Sequence, residues 1–199
     1  MKQLGILFIV VFALALASCQ EKQQSGIDMA TKGAVKLDGK PSTVAGVTFT
    51  PPSTWQDIGP SGMRQANYTF GPIEGESDSA TLAVFHFGQG MGGDVQSNIE
   101  RWIGQMSLPD GSDPHTAAGQ TQFTVDGMPV HWVQLSGIYA SGGMMGDAVV
   151  PKPDYIMAAA VLEAPQGNLF FKLTGPTKTA TKMIEGFKGM IMAVKSAGM

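Results

Sequence analysis

The chain has 199 residues and a mass of 20.9 kDa, which suits one domain and excludes two large ones. Hydrophobic residues make up 43% and charged residues only 15%, so the chain is not disordered overall and can bury a core. A net charge of −3 and a pI near 5.5 exclude the basic footprint of a nucleic-acid binder. Gly 26 and Pro 12 point to many turns.

The chain opens MKQLGILFIVVFALALASC. Lys2 supplies a positive start, and Leu4 to Leu16 is an apolar run of 13 residues broken only by Gly5. A spanning helix needs roughly 20 apolar residues, so this run has the length of a signal-peptide core instead. It ends in Leu16-Ala17-Ser18-Cys19, which resembles the bacterial lipobox. Small residues let the backbone enter a peptidase cleft, and the thiol takes a diacylglyceryl group. Cys19 is the only cysteine, so no internal disulfide exists and lipidation accounts for the lone thiol. Residues 1–18 are thus expected to be a cleaved leader. Gln20, not Asp, follows the cysteine. By resemblance to Gram-negative lipoproteins, that favours an outer-membrane anchor facing the periplasm.

Residues 19–43 read as the lipidated cysteine and a polar tether, and 44–199 as one folded domain. Within it Val44 to Thr50 predicts a short strand stopped by Pro51-Pro52, and Met63 to Phe70 a second. The turn-rich GPIEGESDS follows; its alternating acids lack the rest of a calcium loop and read as a solvated turn. Ala80 to Phe87 is apolar on both faces and predicts a central strand. After GQGMGGD, the spacing of Val95, Ile99, Trp102, Ile103 and Met106 predicts a helix over 95–108 with Asp94 as its N-cap. Pro109-Asp110-Gly111 would stop it.

Gln120 to Val125 and Pro129 to Tyr139 flank Asp126-Gly127, a hairpin signal. A Gly- and Met-rich loop covers 140–154. Tyr155 to Glu163 and Asn168 to Thr174 predict another strand pair. A helix over 177–195 closes the chain, its buried stripe being Ala180, Met183, Ile184, Phe187, Ile191 and Val194. Hairpins with two helices argue an α+β domain, an antiparallel sheet with helices packed on it.

Gly88 to Gly93 matches G-x-G-x-x-G between a strand and a helix, yet the hairpins around it do not support a parallel crossover. Its free N–H groups could hold an anion at the helix start. Arginine occurs only at Arg64 and Arg101. Asp94, Asn98, Arg101 and Gln105 fall on one helical stripe beside Trp102. Such a stripe either locks the helix to a loop or presents Arg101 as a forked donor. Arg64, Gly90, Gly93, Asp94, Asn98, Arg101, Trp102 and Gln105 are therefore the candidate ligand or partner residues.

His86 and His131 fall in strands and His115 in a loop, without the spacing of a zinc site. Met91, Met144 and Met145 lie in Gly-rich loops, with nothing to fix them as copper ligands. Thr179-x-x-Lys182 reads as a solvated helix face. No metal, cofactor or catalytic set is expected.

Trp55, Met63-Arg64-Gln65-Ala66, Phe87-Gly88-x-Gly90-x-Gly92-Gly93, Asn98-x-x-Arg101-Trp102-x-x-Gln105 and Phe170-Phe171-Lys172-Leu173-Thr174-Gly175-Pro176 form a set. Together they resemble a group of bacterial exported lipoproteins related to the PsbP-like superfamily, named for an extrinsic subunit of photosystem II. The resemblance spans 44–195 and implies an α/β/α sandwich around an antiparallel sheet. It also implies action by binding protein partners without catalysis, and it carries over no catalytic residue. Nothing in the sequence identifies a photosystem partner. The functional expectation is a lipid-anchored envelope lipoprotein acting as a non-catalytic binding or assembly module. The alternative is a small-ligand or anion binder built on the Gly-rich turn, Arg64 and Arg101.

Overall fold

The computed structural model describes residues 35–140 and 150–197. The expected leader, Cys19, most of the tether, and Met144 and Met145 lie outside the described residues.

A large antiparallel sheet has α-helices on both faces, so the chain has the expected α+β sandwich architecture. Eight strands form this sheet: β3 (Gln56–Asp57), β4 (Arg64–Phe70), β5 (Ala80–His86), β6 (Met106–Ser107), β7 (Gly119–Val125), β8 (Met128–Tyr139), β9 (Lys152–Leu162) and β10 (Leu169–Pro176). Their order is β3-β4-β5-β10-β9-β8, and β8 shares its outer edge between β7 and β6. A small sheet joins β1 (Ser42–Val44), β2 (Val47–Phe49) and β11 (Lys195–Ser196). The helices are α1 (Val95–Ile103), the single turn α2 (Pro114–Ala117) and α3 (Thr177–Met192).

Alternation along the strands splits the core in two. Leu169, Phe171 and Leu173 of β10, with Leu82, Val84, Ala158, Ala160 and Trp132, face α3. Phe170, Ala159, Val161, Met157 and Val133 face α1. The alanine run Ala158-Ala159-Ala160 leaves room on both sides. Above it the Trp132 and Phe187 rings approach to 4.8 Å, and Phe171 packs on Phe187 and Phe49. The α3 stripe read from the sequence is buried in full, with Met190 added to it.

The Asp126-Gly127 hairpin forms as expected. Asp126 has φ +50° and Gly127 φ +78°, the left-handed pair that matches strand twist. Asp126 also accepts the Ser196 N–H at 2.8 Å, tying the hairpin to β11.

Several expectations change. The 44–50 strand is a hairpin, β1 and β2 around Ala45-Gly46. The ordered arm begins before Val44: Leu37 packs on the α3 side of the core, and Ser42 Oγ bonds Tyr68 Oη at 2.8 Å. Helix α1 stops at Gly104, short of residue 108. Met106 and Ser107 join β8 instead, because its free edge offers backbone partners at Tyr139 and Ile138. Helix α3 ends at Met192, and Lys195–Ser196 pairs with β2. His115 sits in α2, a turn capped by Asp113.

The GPIEGESDS segment is more than a solvated turn. Pro176 at the start of α3 has no side chain able to cap it. Glu76, a century of residues earlier, supplies the cap. It accepts from Lys178 N at 2.8 Å, Thr179 N at 2.7 Å and Thr179 Oγ1 at 2.6 Å. Thr179 is therefore fully buried, not on a solvated face. Desolvation disfavours the Glu76 charge, but the bonds from Thr179 and the two backbone N–H groups outweigh it and hold its pKa below the usual range.

Glu76→Gln is expected to lower the melting temperature near neutral pH. A carboxylate with a depressed folded pKa contributes above its unfolded pKa and loses that contribution as pH falls through the folded value. The gap between wild type and Glu76→Gln should therefore close on acidification, read by thermal melts from about pH 7 to about pH 3. Parallel melting curves would show that the charge adds nothing to the cap.

Candidate functional site

Helix α1 starts where its sequence says. Asp94 accepts the Ser97 N–H at 2.8 Å and the Ser97 hydroxyl at 2.6 Å. Its own carboxylate thus occupies the positive end of the helix. An external anion there would meet Asp94, so the Gly-rich turn is occupied from within.

Asn98 is buried and belongs to that turn. Its amide nitrogen donates to Gly92 O at 2.8 Å and Asp94 O at 2.9 Å, and its oxygen accepts from Arg101 Nη2 at 2.7 Å. Gly92 must be glycine: its φ is +90°, and a Cβ would sit 2.7 Å from the Phe87 ring and 2.8 Å from Phe170. Gly90 is an open turn position, and a Cβ at Gly93 would press on the Asn98 amide at 3.3 Å. Both neighbours of β5 run antiparallel to it, so the turn opens no parallel crossover.

Trp102 is buried, edge-on to Phe170 at 6.4 Å, and Phe170 meets Phe87, which stacks on Phe85. Phe87 is 41% exposed and Met91 in the turn 62%. Arg101 lies at the rim, its guanidinium 5.9 Å from the Trp102 ring centre. Arg64 is exposed on β4 opposite Phe85, two strands from β10.

Gln105 leads to a residue the stripe does not include. Its side-chain oxygen accepts from the ammonium of Lys172, in the centre of β10. Lys172 also reaches Tyr139 Oη at 3.3 Å and lies 5.2 Å from that ring centre. Desolvation first, then the nearby Arg101 charge, lowers its pKa to about 8. Among the described residues no carboxylate comes within ion-pair distance of Lys172 or Arg101. Lysines 36, 152 and 195 all have such a partner.

The Lys172 row continues across the sheet through Ala83 to Asn67. Asn67 is 3% exposed, and its Oδ1 has no hydrogen-bond partner. On the other side, Tyr139 stacks on Tyr155 at 6.0 Å. Tyr155 donates to Asp78, which also takes Lys152 at 2.8 Å. Burial and then Asp78 raise the Tyr155 pKa, and Lys152 and Tyr155 hold Asp78 low. This second cluster opens on a cleft of about 600 Å³ that Glu76, Lys152 and Lys178 also line.

The structure therefore joins Asp94, Asn98 and Arg101 by hydrogen bonds, turns Gln105 to Lys172 instead, seats Trp102 beside Arg101 and leaves Arg64 apart. The residue missed is Lys172. Its signal was visible: a lysine within Phe-Phe-Lys-Leu, where both faces of the strand are otherwise apolar. The histidines have separate partners: His86 with Asn168 O, His115 with Glu100, His131 with Glu163. Among the described residues no cluster suits a metal ion, and no helix is long and apolar enough to cross a membrane.

A lysine whose folded pKa is depressed from 10.5 to about 8 costs stability below the folded value, and the cost is relieved as pH rises between the two. A depression of that size is worth roughly 3 kcal/mol. Relative to Lys172→Met, the wild type should gain up to that amount between about pH 8 and 10.5. Denaturant melts of both proteins across this range check it; a constant difference would show an unperturbed lysine.

No family model matches the sequence, and no curated protein matches it. Solved structures similar to it include LpqN of Mycobacterium tuberculosis, described as involved in cell envelope biogenesis. That likeness has 12% identity and a TM-score of 0.44 over 79% of this chain and 84% of that one. Cyanobacterial PsbP (CyanoP) of Synechocystis is similar at 13% identity and TM-score 0.48, over 83% and 97%. A Bacteroides thetaiotaomicron protein is similar at 10% and 0.43, over 79% of this chain and 48% of that one. Likenesses at this level carry no argument about family or function.

Proposed function

We propose that the chain is a lipid-anchored protein of the bacterial envelope whose folded body is a non-catalytic binding module. The observation that carries the anchor is Cys19, the only cysteine, set directly after Leu-Ala-Ser and a 13-residue apolar run. Each buried CH₂ of an acyl chain adds about 0.8 kcal/mol, so the two or three chains of a processed lipoprotein hold the folded body at the bilayer. The reading of the body as a binder rests on the stripe residues. Asp94 and Asn98 are spent on the turn, while Arg101 and Gln105 present polar groups at the rim of the α1 face. A protein partner is the first reading for what that face meets. A small anion is the second, favoured by the two cations Arg101 and Lys172 without a carboxylate beside them among the described residues.

Mass spectrometry of protein from its native host should find a chain that begins at Cys19 with a thioether-linked diacylglyceryl group. Cys19→Ser should move the protein from the membrane fraction to the soluble fraction or leave it unprocessed. An unmodified thiol on a chain still beginning at Met1 would overturn the anchor.

A further inference from the structure

We propose that Lys172 and Arg101 form the head-group site for a small organic oxyanion, a carboxylate or phosphate carried on an apolar body. The proposal rests on the second reading above and moves its cationic centre from Arg64 and the Gly-rich turn to the middle of β10.

Four observations converge. First, the two cations sit close enough to repel, and their side-chain partners among the described residues are neutral amides and a phenol. Three exposed lysines, 36, 152 and 195, have carboxylate partners, where pairing contributes little, and among the described residues the more shielded Lys172 has none. A shielded ammonium without a carboxylate costs stability, and an arriving anion would offset that cost.

Second, Arg101 is held in place. Asn98 fixes one guanidinium nitrogen, and the Gly92 and Asp94 carbonyls fix Asn98. The remaining N–H groups of the fork suit a planar carboxylate or a phosphate edge. Third, exposed apolar groups stand near the charges: Phe87, 41% exposed, packs on the buried Phe170 two residues before Lys172 on β10, and Met91, 62% exposed, lies in the turn beyond it. Fourth, Asn67, buried in the Lys172 row about 10 Å away across Ala83, leaves its Oδ1 acceptor without a partner on the same face.

The test uses the full chain in detergent with benzoate, phenyl phosphate, acetate and inorganic phosphate as probes, read by calorimetry and by thermal shift. Benzoate and phenyl phosphate should bind more tightly than acetate and inorganic phosphate. The order of the first two tells carboxylate from phosphate. Lys172→Met should weaken binding at least tenfold and Lys172→Arg less than about threefold. Wild-type affinity should fall above about pH 8, as the lysine loses its proton. Equal binding by wild type and Lys172→Met overturns the proposal, as does a flat pH profile. If binding instead vanishes in Arg64→Gln, the anion reading survives at a different site. If no probe binds wild type at 10 mM, both fall.

Discussion

Between α1 and α3, strands β9 and β10 have no face toward water. From Tyr155 to Leu162 every residue is buried, and on β10 the side chains of Phe170 and Phe171 enter opposite cores. Burial on both faces dictates apolar residues throughout, and it dictates size as well. The three alanines 158–160 let α3 bring Phe187 onto Trp132 on one side and let α1 seat Trp102 on the other. A larger residue at Ala158 or Ala160 would push the helix off the sheet, since cores at close-packed density have no slack.

Against that background a charged residue in the middle of β10 is the anomaly. Lys172 has Phe171 and Leu173 as sequence neighbours, both fully buried, and its own ammonium is held by an amide and a phenol. The usual solutions for a shielded ammonium are a carboxylate or a route to solvent. Among the described residues the charge that acts on it is another cation, Arg101. Folding alone would favour methionine or leucine at this position, so the lysine is a candidate for retention by function. The same face holds Asn67, again polar, whose Oδ1 has no hydrogen-bond partner. These two residues sit on one transverse row, separated by a single alanine.

The arrangement also divides the molecule. Leu37, at the N-terminal end of the described chain, packs on the α3 core. The Arg101–Lys172 network lies on the other side of the sheet, under α1. A body anchored through its N-terminus would therefore hold its lipid-side arm and its polar network on opposite faces of one rigid sheet. Helix α3, which closes the first face, is fixed by the Glu76 carboxylate from the segment before β5.

Local chemistry was legible in the sequence wherever neighbours in the chain are neighbours in space. The Asp94 cap needs only the next three residues. The Asp126-Gly127 turn needs only its own dihedral preferences, and the α3 stripe follows from helical period. The lipobox-like run Leu16 to Cys19 is likewise a local signal. The stripe on α1 was legible as a set but not as a site, because its function depends on what lies opposite. Glu76 caps a helix more than a hundred residues later, Lys195–Ser196 finds an edge at β2, and Met106 leaves a helical pattern for β8. Gln105 meets Lys172 only because β10 is brought under α1. Periodicity tells which face a residue points to and nothing about which distant strand supplies the other half of a contact. The sequence alone determined the class of fold, the Asp94 cap and the candidate anchor. The strand order of the tertiary structure decided that two cations and three amides should share one face.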